Sequence, residues 1–364
     1  MVQRSGSVES LKKFYKNKKV LITGATGFKG AWLTSWLLLL GAKVYGTGNN
    51  PNKNKNLFYK LKLNNKINLK LFDIRNYSKL KKFIYKNKPE IIFHLAAQPL
   101  IYESYKKPFL TFDVNCRGTL NILELSKKFN FIKSVVSVTS DKCYENNFSK
   151  KGFKETDRLG GIDPYSASKA SAELFVRAYR ESFFVNKKKC GISSGRAGNV
   201  IGGGDWSDKR LIPDCIRSIL KNKTILIRNP KFNRPWQFVM EPLKGYLILG
   251  MKQFVNPKKY SSAWNFGTEP KSVTDVEEIV KLIIKFWGKG KLKIAKKKNF
   301  YEQHNLQLDI RKAKSKLGWR PTYNIKESVN VTADWYYKVL YLKQNPIEVT
   351  NQQIKKYMYE NNWS

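Results

Sequence analysis

Short apolar runs alternate with helix-like segments through the first half of the chain. The runs have the length of β-strands and lie at 19–23, 43–46, 69–72, 91–95 and 134–138. Helical patterns lie between them, at 28–40, 77–85 and 108–128. Near-continuous apolar strands that alternate with helices are typical of a parallel sheet covered on both faces. The predicted fold class is therefore α/β, with a doubly wound parallel (Rossmann) sheet.

The alternation stops near Ile201, where three consecutive glycines open a region with shorter elements and more proline and tryptophan. The apolar run 263–266 is predicted to return as a late strand of the first sheet, and the tail from Thr350 to form a short helix. We therefore predict two domains. A dinucleotide-binding Rossmann domain takes residues 1–200 plus about 236–275, and a smaller C-terminal substrate-binding domain takes 201–235 and 276–364.

The most apolar stretch, residues 31–40, is shorter than the roughly 20 residues that a membrane span needs, so it predicts a core helix. No continuous apolar stretch precedes Val20, and no signal peptide is expected. Four cysteines without a C-x-x-C pair, and only two histidines, offer no zinc pattern. The chain is expected to be a reduced, cytoplasmic protein without a metal site.

The net charge of +42 is the unusual feature of the composition. A strong positive charge raises the possibility of nucleic acid, an anionic membrane or an anionic substrate as partner. The lysines, however, are scattered along the chain and not gathered into a basic arm, and arginine is the usual residue for bidentate recognition. Compositional bias on solvated faces is therefore favoured over specific nucleic-acid binding.

A glycine-rich loop, TGATGFKG, joins the first strand to the first long helix at residues 23–30. Glycines let the backbone approach a pyrophosphate, and the helix N-terminus offers free N–H groups to it. The contacts expected from this loop are Gly24, Thr26, Gly27, Phe28, Lys29 and Gly30. The second strand ends in Gly46–Asn49 without an acid for a ribose hydroxyl, so these residues do not decide between NAD and NADP.

Further cofactor contacts are predicted where the third and fourth strands end. The third strand leads into a position that suits an adenine pocket, and small residues after the fourth let a dinucleotide pass close to the backbone. The expected contacts are Asp73, Ile74, Ala96, Ala97 and Gln98. His94, at the end of the fourth strand, is predicted to be packed and hydrogen-bonded and not catalytic.

Tyr165 and Lys169 are the candidate catalytic pair. They lie four residues apart on a predicted helix that Asp163 and Pro164 begin, and so share one face. A lysine ammonium near a phenol lowers the pKa of the phenol, which would let Tyr165 act as a base towards a substrate hydroxyl. A Y-x-x-x-K pattern arises by chance in a lysine-rich chain, and it gains weight here from its place downstream of the glycine loop.

The fifth strand leads into Thr139, Ser140, Asp141 and Lys142. Ser140 can hydrogen-bond the hydroxyl that Tyr165 deprotonates, and Asp141 and Lys142 form an acid–base pair beside it. An ordinary polar turn is the alternative. The chemical interpretation is favoured because this strand end must face the nicotinamide if the glycine loop binds the cofactor.

These segments together resemble the extended short-chain dehydrogenase/reductase family, over about residues 14–359. Within it the chain is most similar to the CDP-glucose branch of the nucleotide-sugar 4,6-dehydratases. The segments that carry the resemblance are GATGFKGAW, HLAAQP, VTSDKCY, DPYSASK, GRAGNVIGGGDW, RLIPD, RNP, RPWQFV and WNFG. Epimerases and decarboxylases of the family generally lack an acid at Asp141. Dehydratases of dTDP-glucose and GDP-mannose have an acidic pair where this chain has Asp141 and Lys142, and relatives in the CDP-glucose branch commonly have His in place of Ala25.

The resemblance implies NAD as the cofactor and CDP-glucose or a related nucleotide sugar as the substrate, in deoxysugar biosynthesis. It implies that Tyr165, with Ser140 and Lys169, takes the proton of the 4-hydroxyl while hydride leaves carbon 4 for the cofactor. Lys142 would assist loss of the carbon 5 proton, and Asp141 would donate to the departing 6-hydroxyl. Hydride would then return to carbon 6, which gives the 4-keto-6-deoxy sugar.

The remaining expectations concern binding and assembly. Asn115, Thr139, Tyr165 and Lys169 are added to the cofactor contacts. Arginine matches anionic oxygens bidentately, so the diphosphate contacts expected are Asn199, Arg210, Arg228 and Arg234, with His304 and Asp309 as further lining residues. A homodimer is expected through the helices after Pro108 and Tyr165. The alternatives are a dehydratase of dTDP-glucose, GDP-mannose or a UDP-sugar, an epimerase, and a cofactor-binding regulator that binds nucleic acid.

Overall fold

A computed structural model describes residues 8–145, 152–184, 190–227, 229–270, 274–295 and 307–361. The strands are β1 Lys19–Thr23, β2 Lys43–Gly48, β3 Asn68–Leu71, β4 Ile91–His94, β5 Ser134–Val138, β6 Gly191–Ala197, β7 Val200–Ile201, β8 Ile225–Ile227, β9 Asn233–Arg234, β10 Gln237–Phe238, β11 Ala263–Phe266, β12 Thr274–Asp275 and β13 Leu292–Ile294.

The helices lie between and after these strands along the chain. They are α1 Val8–Tyr15, α2 Phe28–Leu39, α3 Leu57–Lys60, α4 Tyr77–Asn87, α5 Ile101–Lys106, α6 Pro108–Phe112, α7 Gly118–Lys128, α8 Pro164–Tyr179, α9 Leu211–Leu220, α10 Met240–Val255, α11 Pro257–Tyr260, α12 Val276–Trp287, α13 Ile325–Tyr336 and α14 Pro346–Glu360. The helix predicted at 108–128 contains a π turn at Asp113–Arg117 between α6 and α7.

Seven strands form one parallel sheet in the order β11-β6-β5-β4-β1-β2-β3. The chain runs outward from β1 to β3 and restarts on the other side of β1 with β4. Such a reversal of strand order opens a crevice at the carboxyl ends of the two central strands, where ligands bind in folds of this kind. The predicted doubly wound parallel sheet is confirmed, and the run 263–266 returns to it as the edge strand β11.

Among the described residues, three smaller sheets lie outside this sheet, each formed by two strands of two or three residues. β7 pairs with β10 and β8 with β13 in parallel, and β9 pairs with β12 antiparallel. Within the residues that the structure describes, no helix combines the length and the apolar character that crossing a membrane requires.

Helix α2 is buried on nearly all sides, which explains why its sequence is apolar all round. The Trp32 indole N–H donates to the carbonyl of Gly203 at 3.0 Å. The Trp36 ring meets Tyr357 of helix α14 edge to face at 5.9 Å. Helix α14 begins at Pro346, earlier than the predicted Thr350, because Asn345 caps it and proline fits the first helical position.

Gly24 allows strand β1 to turn into helix α2. Its φ of +71° lies in the left-handed region, where glycine carries no steric penalty. A Cβ at this position would lie 2.8 Å from the backbone nitrogen of Ala96 and 2.9 Å from its Cα. The glycine loop therefore runs directly against the backbone that follows β4, with no space for a side chain.

We expect Gly24→Ala to lower the free energy of unfolding by more than Gly288→Ala does. Both glycines have positive φ, which costs roughly 1–2 kcal/mol for an L residue. A Cβ at Gly288 meets nothing within 4 Å, whereas at Gly24 it meets backbone, and such overpacking costs about 1–3 kcal/mol more. Urea unfolding of the two variants measures the difference, and equal losses would show that the close approach at Gly24 is relaxed easily.

Candidate active site

The carboxyl end of β5 and the start of helix α8 bring Ser140 and Tyr165 together. After β5 the chain enters a 3-10 turn at Asp141–Cys143, with Ser140 as its N-cap. Pro164 occupies the first turn of α8, and the Asp163 carboxylate accepts a hydrogen bond from the Ser166 N–H at 3.0 Å, as the predicted helix start requires. The side chains of Ser140 and Tyr165 are hydrogen-bonded to each other.

Burial raises the pKa of Tyr165 to about 12. The hydrogen bond with Ser140 and the charge of Arg210 act in the opposite direction, while Asp141 adds to the rise. The expected lowering of this pKa by Lys169 is wrong for the structure as it stands, because the cost of burying a phenolate outweighs the favourable charges.

Lys169 lies one helical turn after Tyr165, and its ammonium donates to the carbonyl of Val138 at 3.4 Å. Burial lowers the pKa of Lys169 to about 8, although the charge of Glu173 opposes this change. The ammonium form of Lys169 therefore predominates at neutral pH, and the residue loses its proton at a pH only slightly higher.

Asp141 is a buried acid whose two oxygens have different surroundings. Oδ1 accepts a hydrogen bond from the Ser140 hydroxyl at 2.9 Å, whereas buried Oδ2 has no hydrogen-bond partner among the described residues. A Cβ at Gly198 would lie 3.0 Å from Oδ2, so this oxygen faces the connection between β6 and β7. Burial raises the pKa of Asp141 against the influence of four polar neighbours, which are Lys142, Ser140, Arg234 and Lys29. A carboxyl group of this kind is suited to give a proton to a bound ligand.

Lys29 reaches the same cluster from the first turn of helix α2. The pKa of Lys29 is lowered to about 8, mainly by burial and also by the charges of Arg210 and Lys169. The charge of Asp141 opposes this change. Helix α2 itself begins at Phe28, and its N-cap, Gly27, supplies no side-chain cap in the described structure. Its first N–H groups are consequently available to an anion.

The end of β2 is shaped around Thr26. A Cβ at Gly48 would lie 2.4 Å from the Thr26 hydroxyl oxygen, and that hydroxyl donates to the carbonyl of Asn49 at 3.2 Å. The Asp73 carboxylate, after β3, is held by Arg75 at 2.7 Å, and this hydrogen bond lowers the pKa of Asp73. The predicted adenine-pocket residue thus lies at the expected strand end, with its carboxylate already paired.

The residues after β4 are held in place by hydrogen bonds within the protein. The Gln98 N–H donates to Asn115 Oδ1 at 2.8 Å, and the Gln98 side-chain amide donates to Thr111 at 2.8 Å. Asn115 also donates to the Ser168 hydroxyl at 2.8 Å, which ties this segment to helix α8. The N–H of Ala96 donates to the Thr23 hydroxyl at 3.3 Å. These contacts bring the predicted residues 96–98 and Asn115 to the edge where the loop of Gly24 lies.

Two further residues of this edge pack in the interior. His94 is hydrogen-bonded through Nδ1 to Thr23 at 2.7 Å and through Nε2 to Thr119 at 3.3 Å. Burial and the charge of Lys169 lower the pKa of His94 to about 3, so the ring is neutral, in agreement with the packed role predicted for it. Ile74 is also buried, and a Cβ at Gly118 would lie 2.8 Å from its Cγ2.

Two of the predicted diphosphate residues face the cluster from the segment after Gly204. Arg210 forms an ion pair with Asp205 at 2.8 Å, and buried Arg234 acts electrostatically on Asp141. Asn199 lies nearby in the chain, where its carbonyl accepts the N–H of Gln237 at 3.0 Å. Arg228 and His304 lie outside the described residues. The Asp309 carboxylate is bound by Arg311 at 2.6 Å.

A buried ion pair below the site was missed by the sequence analysis. Glu173 of α8 and Arg196 of β6 lie 2.6 Å apart, and their side chains are 2% and 3% exposed. The hydroxyls of Thr139 and Ser194 also donate to Glu173, and Arg196 donates to the Tyr144 hydroxyl at 2.7 Å. The sequence contains one signal for this residue: Glu173 lies four residues after Lys169, as Lys169 lies four residues after Tyr165, so all three share one face of the helix.

The family model of GDP-mannose 4,6 dehydratase matches residues 21–332 of the chain. The chain belongs to this family. The predicted membership of the extended short-chain dehydrogenases/reductases is confirmed with it. A CDP-glucose 4,6-dehydratase from Salmonella typhimurium strain LT2 is 41% identical over 352 residues, which cover 95% of this chain and 98% of that protein.

Solved structures of related fold include both dehydratases and epimerases. A dTDP-glucose 4,6-dehydratase from Bacillus anthracis in complex with NAD has a TM-score of 0.74 and 23% identity, and the match covers 89% of this chain and 98% of the other. A UDP-glucose 4-epimerase from Thermotoga maritima with UDP-glucose has a TM-score of 0.75 and 23% identity, covering 88% and 99%. For this member of the GDP-mannose 4,6 dehydratase family, the fold alone therefore does not separate dehydration from epimerisation.

Proposed function

We propose that this protein is an NAD-dependent hydro-lyase that converts CDP-glucose into CDP-4-keto-6-deoxyglucose. The observation that carries the proposal is Asp141, which lies next to Ser140 and Tyr165. It is a buried acid with a raised pKa, and one of its oxygens has no hydrogen-bond partner among the residues that the structure describes. Epimerisation needs only removal and return of hydride, whereas loss of a hydroxyl as water needs a proton donor beside it. The 41% identity with a CDP-glucose 4,6-dehydratase over nearly the full length supports the same reaction.

The residues at the carboxyl edge of the sheet fit a dinucleotide. Gly24 and Gly48 leave no side chain between the loop and the neighbouring strand ends, and the uncapped start of helix α2 suits a pyrophosphate. Residues 24–30 would hold NAD there, and Gln98 with Asn115 would shape the nicotinamide side. When bound, NAD accepts hydride from the sugar and returns it, so no net redox change results.

For the oxidation, we assign to Tyr165 the removal of the proton from the 4-hydroxyl of the sugar. A pKa of about 12 makes the phenolate unfavourable in the unliganded site. Ser140 and Arg210 favour the phenolate, and the ammonium of Lys169 adds positive charge one helical turn away. These groups offset part of the cost of burying the phenolate, and they do so only while they are held in place.

For the elimination, we assign to Asp141 the delivery of a proton from Oδ2 to the departing 6-hydroxyl. This oxygen is the one without a partner among the described residues, and burial favours the protonated form that the step needs. Lys142, the adjacent residue, is assigned to removal of the proton on carbon 5, which it can accept only as the neutral amine. The site thus supplies a base for the oxidation and a separate acid for the loss of water.

The nucleotide and its diphosphate are assigned to the segments 201–235 and 276–364. Arg210 and Arg234 already face the catalytic cluster, and Asn199 and Arg228 are the further candidates. Arginine pairs bidentately with phosphate oxygens, and an incoming diphosphate would compete with Asp205 for Arg210. All four cysteines are free thiols, which fits the reducing cytoplasm that the sequence predicts.

We test the function by incubating the purified protein with NAD and CDP-glucose, and in parallel with dTDP-glucose, UDP-glucose and GDP-mannose. The expected result is a product lighter by one water from CDP-glucose, without accumulation of NADH. Water loss from another nucleotide sugar alone would contradict the substrate. A product of unchanged mass and altered stereochemistry would identify an epimerase, and no reaction at all, together with salt-sensitive DNA binding, would favour a regulator.

We expect Asp141→Asn to slow loss of water much more than oxidation. The amide has the same shape but cannot donate a carboxylic proton, and general acids contribute about 10²–10⁴-fold to rate. Single-turnover mixing with CDP-glucose should therefore show reduced cofactor that persists in the variant. Tyr165→Phe is the control, because it should block oxidation itself. Equal slowing of both steps by Asp141→Asn would remove Asp141 from the elimination.

We also propose that two copies associate through the outer faces of helices α6 and α8. Phe109 and Phe112 on α6 and Leu174 on α8 are 79%, 37% and 50% exposed, which is unusual for three large apolar side chains on packed helices. Light scattering should report a dimer for the unmodified chain and a monomer for Phe109→Glu. Leu226→Glu is the matched control, since Leu226 is 64% exposed on β8, outside these two helices.

A further inference from the structure

We infer that Glu173 is a positioning residue for the reaction: anchored by Arg196, it holds the end of strand β5 in place, and its negative charge keeps Lys169 in the ammonium form. The inference rests on the proposed function for its link to catalysis. It concerns a residue that does not contact the reacting atoms and acts through Thr139 and Lys169.

Glu173 is the third member of a buried row on helix α8. Residues that are four apart in a helix lie on the same face, one above the other, so Tyr165, Lys169 and Glu173 follow one another along one side of α8. All three are less than a tenth exposed. Solvent therefore screens the charge of Glu173 only weakly at Lys169.

Glu173 and Lys169 hold consecutive residues at the end of β5. The Thr139 hydroxyl donates to Glu173 Oε1, and the Lys169 ammonium donates to the carbonyl of Val138. The next two residues of the chain are Ser140 and Asp141. A displacement of the Glu173 carboxylate is therefore passed directly to the groups assigned to proton transfer.

The position of the carboxylate is fixed from strand β6. Arg196 Nη2 lies 2.6 Å from Glu173 Oε2, and the Ser194 hydroxyl donates to the same oxygen at 2.7 Å. Burial by itself would raise the pKa of Glu173, but the charge of Arg196 and these hydrogen bonds lower it below its ordinary value. Glu173 consequently remains an anion although no solvent reaches it.

Glu173 is also the anion that acts on Lys169. Ionisable groups of neighbouring elements face this part of the row, namely Lys29, His94, Cys116, Cys143, Tyr144 and Arg196. Among these groups, burial keeps His94, Tyr144 and the thiols of Cys116 and Cys143 neutral. Lys29 is a cation, and its charge disfavours a second positive charge on Lys169. Without Glu173, burial and Lys29 would both favour the neutral amine at Lys169.

Glu173→Gln tests the role of the charge, because it keeps the shape and the hydrogen-bonding capacity of the side chain. The protonation of Lys169 is read in the unliganded protein, from the pH dependence of its acetylation by acetic anhydride followed by mass spectrometry. We expect the midpoint to fall by about one pH unit or more. Ser194→Ala is the matched control: it removes a neutral donor to the same carboxylate and should leave the midpoint unchanged.

Turnover of CDP-glucose provides the second readout. Since the ammonium of Lys169 is lost at a lower pH in Glu173→Gln, the alkaline limb of the turnover profile should move to lower pH. At pH 8 turnover should fall about fivefold for a fall of one pH unit in the midpoint, in proportion to the lost ammonium fraction. Ser194→Ala should keep the alkaline limb of the unmodified protein.

Glu173→Asp keeps the inference testable if Glu173→Gln does not fold, as judged by circular dichroism. It retains the charge but shortens the side chain, which withdraws the carboxylate from the Thr139 hydroxyl. We therefore expect lower turnover with the midpoint of Lys169 close to that of the unmodified protein. The inference would be overturned if the acetylation midpoint of Lys169 in Glu173→Gln equalled that of the unmodified protein. It would also be overturned if Glu173→Asp lowered this midpoint as much as is expected for Glu173→Gln. Failure of the proposed function would be seen separately, as an unmodified protein that does not dehydrate CDP-glucose but still gives an acetylation midpoint.

Discussion

The register of the three central strands is the constraint on which the site depends. Thr23, His94 and Ser137 lie side by side across β1, β4 and β5. The residues that follow them therefore leave the sheet at one edge, which brings together the glycine loop, the segment after β4 and the turn of Ser140. The hydrogen bonds between Thr23 and His94, and between Ala96 and Thr23, fix this edge from inside. A register shift in one strand would separate the loop from the catalytic turn.

The electrostatics of the site follow from placing many cations around one acid. Four positively charged side chains, Lys29, Lys169, Arg210 and Arg234, act on Asp141 or on one another. Burial depresses the pKa of both lysines, and repulsion by Arg210 and Lys169 adds to this effect at Lys29. A nucleotide diphosphate brings the negative charge that this arrangement lacks. The local cluster, and not the net charge of +42, is thus the feature that matches an anionic substrate.

Much of this arrangement was predictable because apolar runs and glycine loops are local signals. The strands of the first half and the pairing of the Y-x-x-x-K helix with the turn after β5 follow from such patterns. Strand β6 was not predicted, since GISSGRA contains one large apolar residue, Ile192. Its burial comes from tertiary packing, in which a Cβ at Gly195 would lie 2.7 Å from the Tyr246 ring. The partnership of Glu173 with Arg196, and the raised pKa of Tyr165, were not predictable for the same reason. Both depend on how deeply a group is buried, which spacing along the chain does not reveal.

The position of Gly198 connects the fold to the choice of reaction. Any larger residue at this position would place a Cβ 3.0 Å from Oδ2 of Asp141, which is a close approach to a buried oxygen. Because the carboxyl group is buried, its pKa is raised, and because Oδ2 has no hydrogen-bond partner among the described residues, a proton on it can be passed to a ligand. An enzyme that only removes and returns hydride has no use for a protonated acid in this position. The room that Gly198 leaves beside Oδ2 of Asp141 is therefore better explained by the departure of a hydroxyl as water than by epimerisation.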